Sequence, residues 1–383
     1  MNVDYLIVGS GLTGAVIARI LADAGRDVLV VERRPHMGGN VHDHCHPSGI
    51  RIHTYGPHYF RTDSQKIWDF VTCFSTFYHF EATVMSQVDN KFENWPPTAR
   101  YINRELGAQW QPAFSGQPSN FEEASLAMMP QAIYQKFVKG YTEKQWGVSA
   151  ATLAAELAGR FEVRANGDHR LKQHRFQGLP LNGYASFMAN MLAGIPVLLN
   201  FDYLHRRKEF SVRRKVIFTG AIDEFFGYKF GKLNYRYQIR EHEYLPDVDI
   251  FQPVGQVNNP NRADAYVRTL EWKHMMPPRY ARNIKGTVIT RETPATPNNP
   301  NDYEYPFPDR KNKQLYRRYR QLAAAQSDLL ICGRLGEYRY YDMDHAIGRA
   351  MEHARTLLAQ PKPVRYFVEN IYERNDYASA HKL

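Results

Sequence analysis

The stretch that decides the fold is Asp4-Tyr-Leu-Ile-Val-Gly-Ser-Gly-Leu-Thr-Gly14, close to the start of the chain. Its first five residues have the composition of a short buried strand, and the three glycines that follow have the spacing Gly-x-Gly-x-x-Gly. The pattern then predicts a helix from Leu12 to Ala24 that ends at Gly25, and a second strand at Asp27–Val31. This order of strand, glycine turn, helix and strand is typical of a nucleotide-binding βαβ unit.

Each polar or glycine position in this unit has a physical task. Gly9 permits the tight turn, Gly11 lets the backbone approach a pyrophosphate, and Gly14 lets the helix pack on its strand. The amino end of the helix faces the negative charge of the phosphates. Glu32 ends the second strand about twenty residues further on, where a carboxylate accepts hydrogen bonds from ribose hydroxyls. The sequence therefore predicts a dinucleotide site.

Composition restricts the class of protein. The chain has 383 residues and 43% hydrophobic residues, and no apolar run approaches the about 20 residues of a membrane span. Cys45, Cys73 and Cys332 are too few and too widely spaced for a disulfide framework or a zinc site, so we expect no bound metal and a reducing compartment. Because no secretion signal precedes the first strand, we expect a cytoplasmic protein.

The net charge is +10, from 49 Lys and Arg against 39 Asp and Glu. Basic residues cluster at 205–208, 213–215 and 317–320, and we expect these clusters to be solvated surface. No nucleic-acid-binding module accompanies them, so nucleic acid is not an expected partner. An acidic small substrate remains compatible with the charge.

The end of the chain indicates which dinucleotide binds. A strand at Leu329–Cys332 is followed by Gly333, and Asp342 precedes a helix predicted at Ala346–Ala359. FAD has a long ribityl chain and a large ring system and needs a second anchoring site, which this unit can supply. The alternative is an ordinary βα unit in which Asp342 is only the helix N-cap.

The sequence thus predicts an α/β fold: a Rossmann-like FAD-binding domain with a helical insertion and an antiparallel β-sheet lobe. We expect the FAD-binding domain to be discontinuous and to comprise residues 1–78, 190–229 and 312–383. A mainly helical substrate domain is expected at 79–189, and an antiparallel sheet domain at 230–311.

Several motifs, in order along essentially the whole chain, resemble the UDP-galactopyranose mutase family. They are Val8-Gly-Ser-Gly-Leu-Thr-Gly-Ala15, Gly38-Gly-Asn40, Tyr55-Gly-Pro-His58, Gly140-Tyr-Thr-Glu-Lys-Gln-Trp-Gly147, Gln177-Gly-Leu-Pro180, Glu271-Trp-Lys-His274 and Gly333-Arg-Leu-Gly-Glu-Tyr-Arg-Tyr-Tyr-Asp-Met343. The resemblance implies a flavin-dependent isomerase of cell-wall biosynthesis that interconverts UDP-galactopyranose and UDP-galactofuranose. In that family, N5 of the reduced flavin attacks the anomeric carbon and expels UDP; the sugar ring then opens and recloses, and UDP reattaches.

The resemblance also implies site residues. Catalytic roles are expected for Arg160, Arg268, Arg334 and His58, with Arg160 on a loop that closes over the pyrophosphate. The expected cofactor contacts are Gly9, Gly11, Leu12, Thr13, Gly14, Glu32, Arg33, Gly38, Gly39, Asn40, Pro57, His58, Gly333, Arg334, Tyr341, Asp342 and Met343. The expected substrate contacts are Phe137, Tyr141, Thr142, Trp146, Arg160, Asn258, Arg268, Tyr305 and Tyr340. Expected partners are the nucleotide sugar, an external reductant such as NAD(P)H or a reductase, and a second copy of the chain in a homodimer.

The chain departs from the family pattern at three positions. Arg61 stands where a second histidine is usual, Thr98 where an asparagine of the sugar pocket is usual, and Leu171 where a tyrosine is usual. These changes suit a mutase for another nucleotide sugar, such as a deoxy or N-acetyl hexose, and equally suit drift within a galactose enzyme. Two other hypotheses remain open: an FAD oxidoreductase of the amine-oxidase type, and a flavin-binding protein without turnover.

Overall fold

Strands and short helices alternate throughout the protein, whose computed structural model describes residues 1–160, 163–164 and 168–359. The strands are β1 (Asn2–Val8), β2 (Val28–Val31), β3 (Asp43–Cys45), β4 (Arg51–His53), β5 (Phe60–Thr62), β6 (Phe77–His79), β7 (Val84–Val88), β8 (Lys91–Trp95), β9 (Phe176–Pro180), β10 (Val197–Leu198), β11 (Ser211–Phe218), β12 (Tyr235–Leu245), β13 (Gln256–Asn258), β14 (Arg268–Glu271), β15 (Thr287–Ala295), β16 (Tyr305–Pro306) and β17 (Leu329–Ile331). The helices are α1 (Leu12–Asp23), α2 (Gln65–Thr72), α3 (Ala99–Leu106), α4 (Phe121–Leu126), α5 (Gln131–Ile133), α6 (Gly140–Trp146), α7 (Gly183–Met191), α8 (Tyr203–Arg206), α9 (Ile222–Phe225), α10 (Pro278–Ala281), α11 (Arg310–Ala324), α12 (Gly333–Gly336) and α13 (Met343–Ala359).

A parallel sheet contains the predicted nucleotide-binding unit. Its strand order is β10-β2-β1-β11-β17, and every neighbouring pair is parallel. Helices α1 and α13 and further elements cover the sheet, and the buried residues of β1 and β2 are hydrophobic. Parallel strands end at one edge, so the turns after β1, β11 and β17 lie together there. The Rossmann-like α/β fold class predicted from the sequence is confirmed.

A second sheet forms the predicted antiparallel lobe. Its order is β16-β12-β15-β14-β13-β7-β8, and only the β13–β7 pair is parallel. The hairpin β7–β8 comes from the segment expected to be mainly helical. Its alternating residues Val84, Ser86 and Val88 are buried, which is the pattern of a half-buried strand.

The predicted helical insertion consists of short pieces. Pro130 begins α5, a π-helical turn follows at Tyr134–Lys139, and Gly147 ends α6 in the left-handed conformation. Two further segments of the part expected to be mainly helical, Ala150–Thr152 and Ala155–Arg160, are 3₁₀ turns. Burial of aromatic side chains such as Trp95 and Trp146 in a shared core holds these pieces together.

The division of the chain into three domains stays a prediction. None of the described helices has both the length and the apolar character that crossing a membrane requires.

Candidate active site

The first cavity runs along the carboxyl edge of the parallel sheet, and glycine backbone forms its floor. Gly9 has φ +104°, and a Cβ there would lie 2.1 Å from Thr219 Oγ1. A Cβ on Gly39 would lie 3.0 Å from the Cα of Gly11, so the two glycine motifs meet face to face. The first turn of α1 has no side-chain cap, which leaves its N–H groups for an anion.

Glu32 lies at one end of this cavity and is 6% exposed. Its Oε2 accepts hydrogen bonds from the backbone N–H and the Oγ of Ser10, both at 2.8 Å, and its Oε1 accepts one from Arg34 N at 3.0 Å. Since each carboxylate oxygen has two lone pairs, Oε1 can still accept one hydrogen bond from a ribose hydroxyl. Beside it, Arg33 donates to both oxygens of Glu224 at 2.9 and 2.8 Å. Burial opposes the charge of Arg33, but this ion pair raises its pKa.

The second anchoring segment closes the other end of the cavity. Gly333 follows β17 with φ +85°, and a Cβ there would approach Thr13 Oγ1 at 3.2 Å. Helix α13 begins at Met343, three residues before the predicted start, because Ala346 N donates to Asp342 O at 3.0 Å. The two anchors therefore face each other across one continuous cleft, lined by Glu32 and by Met343.

The second cavity lies between α6 and one face of the second sheet. One row of polar residues crosses that face, since Asn258, Arg268, Glu292 and Arg240 are direct partners on β13, β14, β15 and β12. Helix α6 supplies Tyr141, Thr142 and Trp146 from the opposite side. An aromatic wall that faces a polar row is a suitable shape for a nucleotide.

Fixed positive charge and phenol groups converge in this cavity. Arg268 donates through Nε to Glu292, and although burial opposes it, Glu292 raises the pKa of Arg268 well above its usual value. The rings of Tyr305 and Tyr340 are parallel within 9° with centroids 6.0 Å apart. The guanidinium of Arg334 lies 5.6 and 5.0 Å from the same two centroids. Such a group of cations and neutral donors suits a pyrophosphate.

Among the residues that the structure describes, three line both cavities: His58, Arg334 and Met343. Burial lowers the pKa of His58 to about 3, so the ring is neutral at neutral pH. Its Nδ1 faces Gly56 O at 2.8 Å, which places the proton on Nδ1 and leaves Nε2 as an acceptor. Arg334 donates to Tyr341 O at 2.8 Å. A ligand in the first cavity can therefore reach a ligand in the second at this junction.

Comparison with known proteins gives the family. Residues 136–340 match the model of the UDP-galactopyranose mutase family, and residues 7–74 match an NAD(P)-binding Rossmann-like domain. The chain is 31% identical to a probable UDP-galactopyranose mutase of Klebsiella pneumoniae over 94% of this chain and 95% of that protein. The chain belongs to the UDP-galactopyranose mutase family. It is 30% identical to a dTDP-fucopyranose mutase of Escherichia coli, over 93% of this chain and 99% of that protein.

Family membership makes the protein an isomerase, a pyranose–furanose mutase of a nucleotide sugar. It therefore replaces the hypotheses of an amine-oxidase-type oxidoreductase and of a protein without turnover. The solved structure of a reduced UDP-galactopyranose mutase superposes with a TM-score of 0.74 at 14% identity, covering 94% of each chain. A putrescine oxidase superposes with a TM-score of 0.59 at 11% identity, over 94% of this chain and all of that one. These two structural similarities show a shared fold.

Most residues expected from the mutase family line one of the two cavities. Those in the first cavity are Gly9, Gly11, Leu12, Thr13, Glu32, Arg33, Gly38, Gly39, Asn40, His58, Gly333, Arg334, Tyr341 and Met343. Those in the second are Pro57, His58, Tyr141, Thr142, Trp146, Asn258, Arg268, Tyr305, Arg334, Tyr340, Asp342 and Met343. Pro57 and Asp342 were expected at the cofactor and line the second cavity.

Three expected residues are in neither group. Phe137 is 2% exposed and packs behind Trp95, with ring centroids 6.3 Å apart, so it supports the wall of the cavity from the core. Gly14 lies beneath the glycine turn, where a Cβ would meet Gly9 O at 2.0 Å. The side chain of Arg160 lies outside the described part of the chain, and its role stays a prediction.

The three departures from the mutase pattern occupy different positions. Arg61 lines the second cavity and forms an ion pair with Asp342 at 3.3 Å. Leu171 lines the same cavity. Thr98 is 6% exposed and accepts a hydrogen bond from Tyr101 N as the N-cap of α3. The hydroxyl of Thr98 therefore has a structural task.

Sequence reasoning missed several lining residues. Arg34, Asn301 and Tyr303 border the first cavity, and Gln145, Gln238 and Gln256 border the second. Gln145 lies within the quoted motif at 140–147. Gln256 also carried a signal, because a position two residues before Asn258 on a strand shares its face. Its Nε2 donates to Asn258 Oδ1 at 2.9 Å, which fixes that amide.

Proposed function

We propose that the protein binds FAD in the first cavity and UDP-galactopyranose in the second, and that it interconverts the pyranose and furanose forms of this sugar. The observation that supports the proposal most directly is the junction of the two cavities at His58, Arg334 and Met343. A dinucleotide anchored at Glu32 and at the Gly333 segment would extend its ring system towards this junction. The sugar of a nucleotide bound beside Arg268 would meet it there.

The first cavity fits FAD in its shape and its donors. Gly9 and Gly39 allow a tightly packed glycine backbone along the cavity, and the uncapped amino end of α1 faces it. When bound and reduced, the flavin supplies the nucleophile that attacks the anomeric carbon. We also propose that an external reductant such as NAD(P)H or a reductase keeps it reduced, and that the protein acts as a homodimer.

The protein's own residues hold the substrate and its leaving group. Arg268, Tyr305 and Tyr340 would bind the pyrophosphate, joined by Arg160. Tyr141 and Trp146 would flank the uracil, and Asn258 would contact the nucleotide. Arg334, between the phosphate side and the junction, would neutralise charge as UDP departs.

One experiment tests cofactor and substrate together. Purified protein should be yellow with non-covalently bound flavin, and after reduction with dithionite it should convert UDP-galactopyranose to the furanose form. Measurement requires an absorbance spectrum and chromatography of products from UDP-, dTDP- and GDP-sugars. Protein that stays colourless after refolding with excess FAD, or that isomerises no UDP-sugar, would contradict the proposal.

A second substrate class is favoured by one feature of the site. Arg61 adds a cation beside Asp342 in the second cavity, where the family pattern has histidine, and one relative acts on a dTDP-sugar. We infer that a deoxy or N-acetyl hexose is the alternative substrate. Higher kcat/KM for such a sugar than for UDP-galactopyranose in the same panel would favour it.

A further inference from the structure

Four buried charged side chains form a continuous hydrogen-bonded network behind the wall of the second cavity. Arg268 donates through Nε to Oε2 of Glu292, and Arg240 donates through Nε to the other oxygen of Glu292 at 3.0 Å. The two terminal nitrogens of Arg240 then donate to the two oxygens of Glu304 at 2.7 and 2.9 Å. Side-chain exposure is 0% for Glu292, 3% for Glu304, 9% for Arg240 and 14% for Arg268. Of the four, only Arg268 lines the cavity.

Such a buried charge network contributes little to the stability of the fold. Burying charged groups costs free energy that their mutual attraction repays only when the geometry is good, and apolar replacements are often as stable. What the network provides is a fixed orientation of its side chains. Arg240 makes three charge-assisted hydrogen bonds to two carboxylates with one planar fork, which a lysine cannot reproduce.

The groups that this network holds belong to the candidate site. Because Nε of Arg268 is engaged by Glu292, its terminal nitrogens remain for a ligand. Glu304 directly precedes Tyr305 in the chain, and its carbonyl accepts a hydrogen bond from Arg334 at 3.4 Å. A Cβ on Gly56 would lie 2.8 Å from Glu292 Oε1, so the loop that leads to His58 rests on the same carboxylate.

We propose that Arg240 is a positioning residue that is held by Glu304 and orients Arg268 through Glu292. It touches no substrate itself. The inference rests on the proposed function, because it assumes that Arg268 binds the pyrophosphate of a uridine nucleotide.

The test is a double-mutant cycle read by UDP affinity. Calorimetric titration of flavin-loaded protein with UDP should show roughly tenfold weaker binding for Arg240→Met, as expected for loss of a charge-assisted contact. Arg268→Met should lose a similar factor, and the double variant should bind no more weakly than Arg268→Met alone. If Arg240 had a merely structural role, the double variant would lose the product of the two single-variant factors in UDP affinity. Arg51→Met is the matched control, since Arg51 also pairs with a buried carboxylate, Asp43 at 3.4 Å, but away from both cavities; its UDP affinity should be unchanged.

Two further variants keep the test decisive if Arg240→Met folds poorly. Arg240→Met combined with Glu304→Gln removes the carboxylate that would be buried without a cation, and should restore stability without restoring UDP affinity. Arg240→Lys should also bind UDP more weakly than wild type. Wild-type affinity in Arg240→Lys or Arg240→Met, or multiplying losses in the cycle, would overturn the inference alone. Failure of the wild-type protein to bind UDP would overturn the proposed function as well.

Discussion

Arginine suits the proposed pyrophosphate site because its guanidinium stays charged and donates to several oxygens at once. Alanine in place of Arg268, or of the predicted loop arginine Arg160, should lower kcat/KM at least tenfold. Loss of one charge-assisted hydrogen bond costs about 1.5–3 kcal/mol, which corresponds to such factors. Flavin absorbance per protein should be unchanged in both variants; Arg268 lines the second cavity and not the first. Arg175, which is exposed, is the control. Near-wild-type kinetics in both alanine variants would contradict a role of Arg268 and Arg160 in binding the pyrophosphate.

The buried histidine next to the site predicts a pH effect on stability. His53 is 4% exposed, and its Nδ1 accepts a hydrogen bond from the backbone N–H of His58 at 3.1 Å. Burial lowers its pKa from 6.5 to about 3, so below pH 6.5 the unfolded chain takes up a proton that the folded chain does not. Stability from this group is therefore complete above pH 6.5 and is lost as the pH falls.

For one such histidine the free energy of unfolding should fall by about 1 kcal/mol between pH 7.5 and pH 5.5. Urea denaturation of wild type and His53→Gln at both pH values measures the difference. The variant should be less stable at pH 7.5 and should lose less on acidification. Exposed His79, with a side chain 75% accessible, gives the control His79→Gln. Equal pH dependence in wild type and His53→Gln would contradict the assignment.

At the scale of elements, the approach of α1 to the turn after β1 predicts a severe glycine substitution. A Cβ on Gly14 would lie 2.0 Å from Gly9 O, a backbone atom that cannot move without shifting the cofactor turn. Gly14→Ala should therefore lose flavin and lower the melting temperature. Gly348→Ala in α13 is the matched control: its Cβ would meet only Ile67 Cδ1 at 3.4 Å, and helix propensity favours alanine there by about 1 kcal/mol. A flavin-loaded Gly14→Ala protein of wild-type stability would show that the helix has room to move.

The elements that the sequence predicted well are those whose pattern is local. The opening βαβ unit and the strand–glycine–helix return at Gly333 depend on apolar runs and glycine spacing within about thirty residues. The segment 120–160 was less predictable, because proline and buried aromatic side chains break it into short turns that periodicity does not reveal. The pairing of β7 with β13 depends on contacts between residues 84–86 and 256–258, a separation at which single-sequence patterns carry no register.

At the scale of the whole molecule, the candidate site is divided between two sheets. Glycine motifs and the family resemblance indicated Gly11, Gly333 and Arg268, but not the polar row on which Arg268 lies. That row exists because cross-strand register brings Arg240 opposite Glu292 and Glu292 opposite Arg268. A basic residue on a strand is more often a solvated one, so only the folded structure distinguishes Arg240 from its neighbours.

The junction of the two cavities leads to the last prediction: turnover should require reduced flavin without consuming reductant stoichiometrically. His58, the histidine at the junction, is neutral at neutral pH and offers only an acceptor nitrogen to the cavities. His58 therefore has no acidic proton to give to a leaving group and does not supply the acid of a purely acid–base route. Under anaerobic conditions, one equivalent of dithionite per flavin should support many turnovers of UDP-galactopyranose, with the flavin spectrum still reduced at the end. Oxidised protein should form furanose far more slowly. Equal rates for the oxidised and reduced forms, or one reductant consumed for each product, would show that the reaction does not depend on reduced flavin in this way.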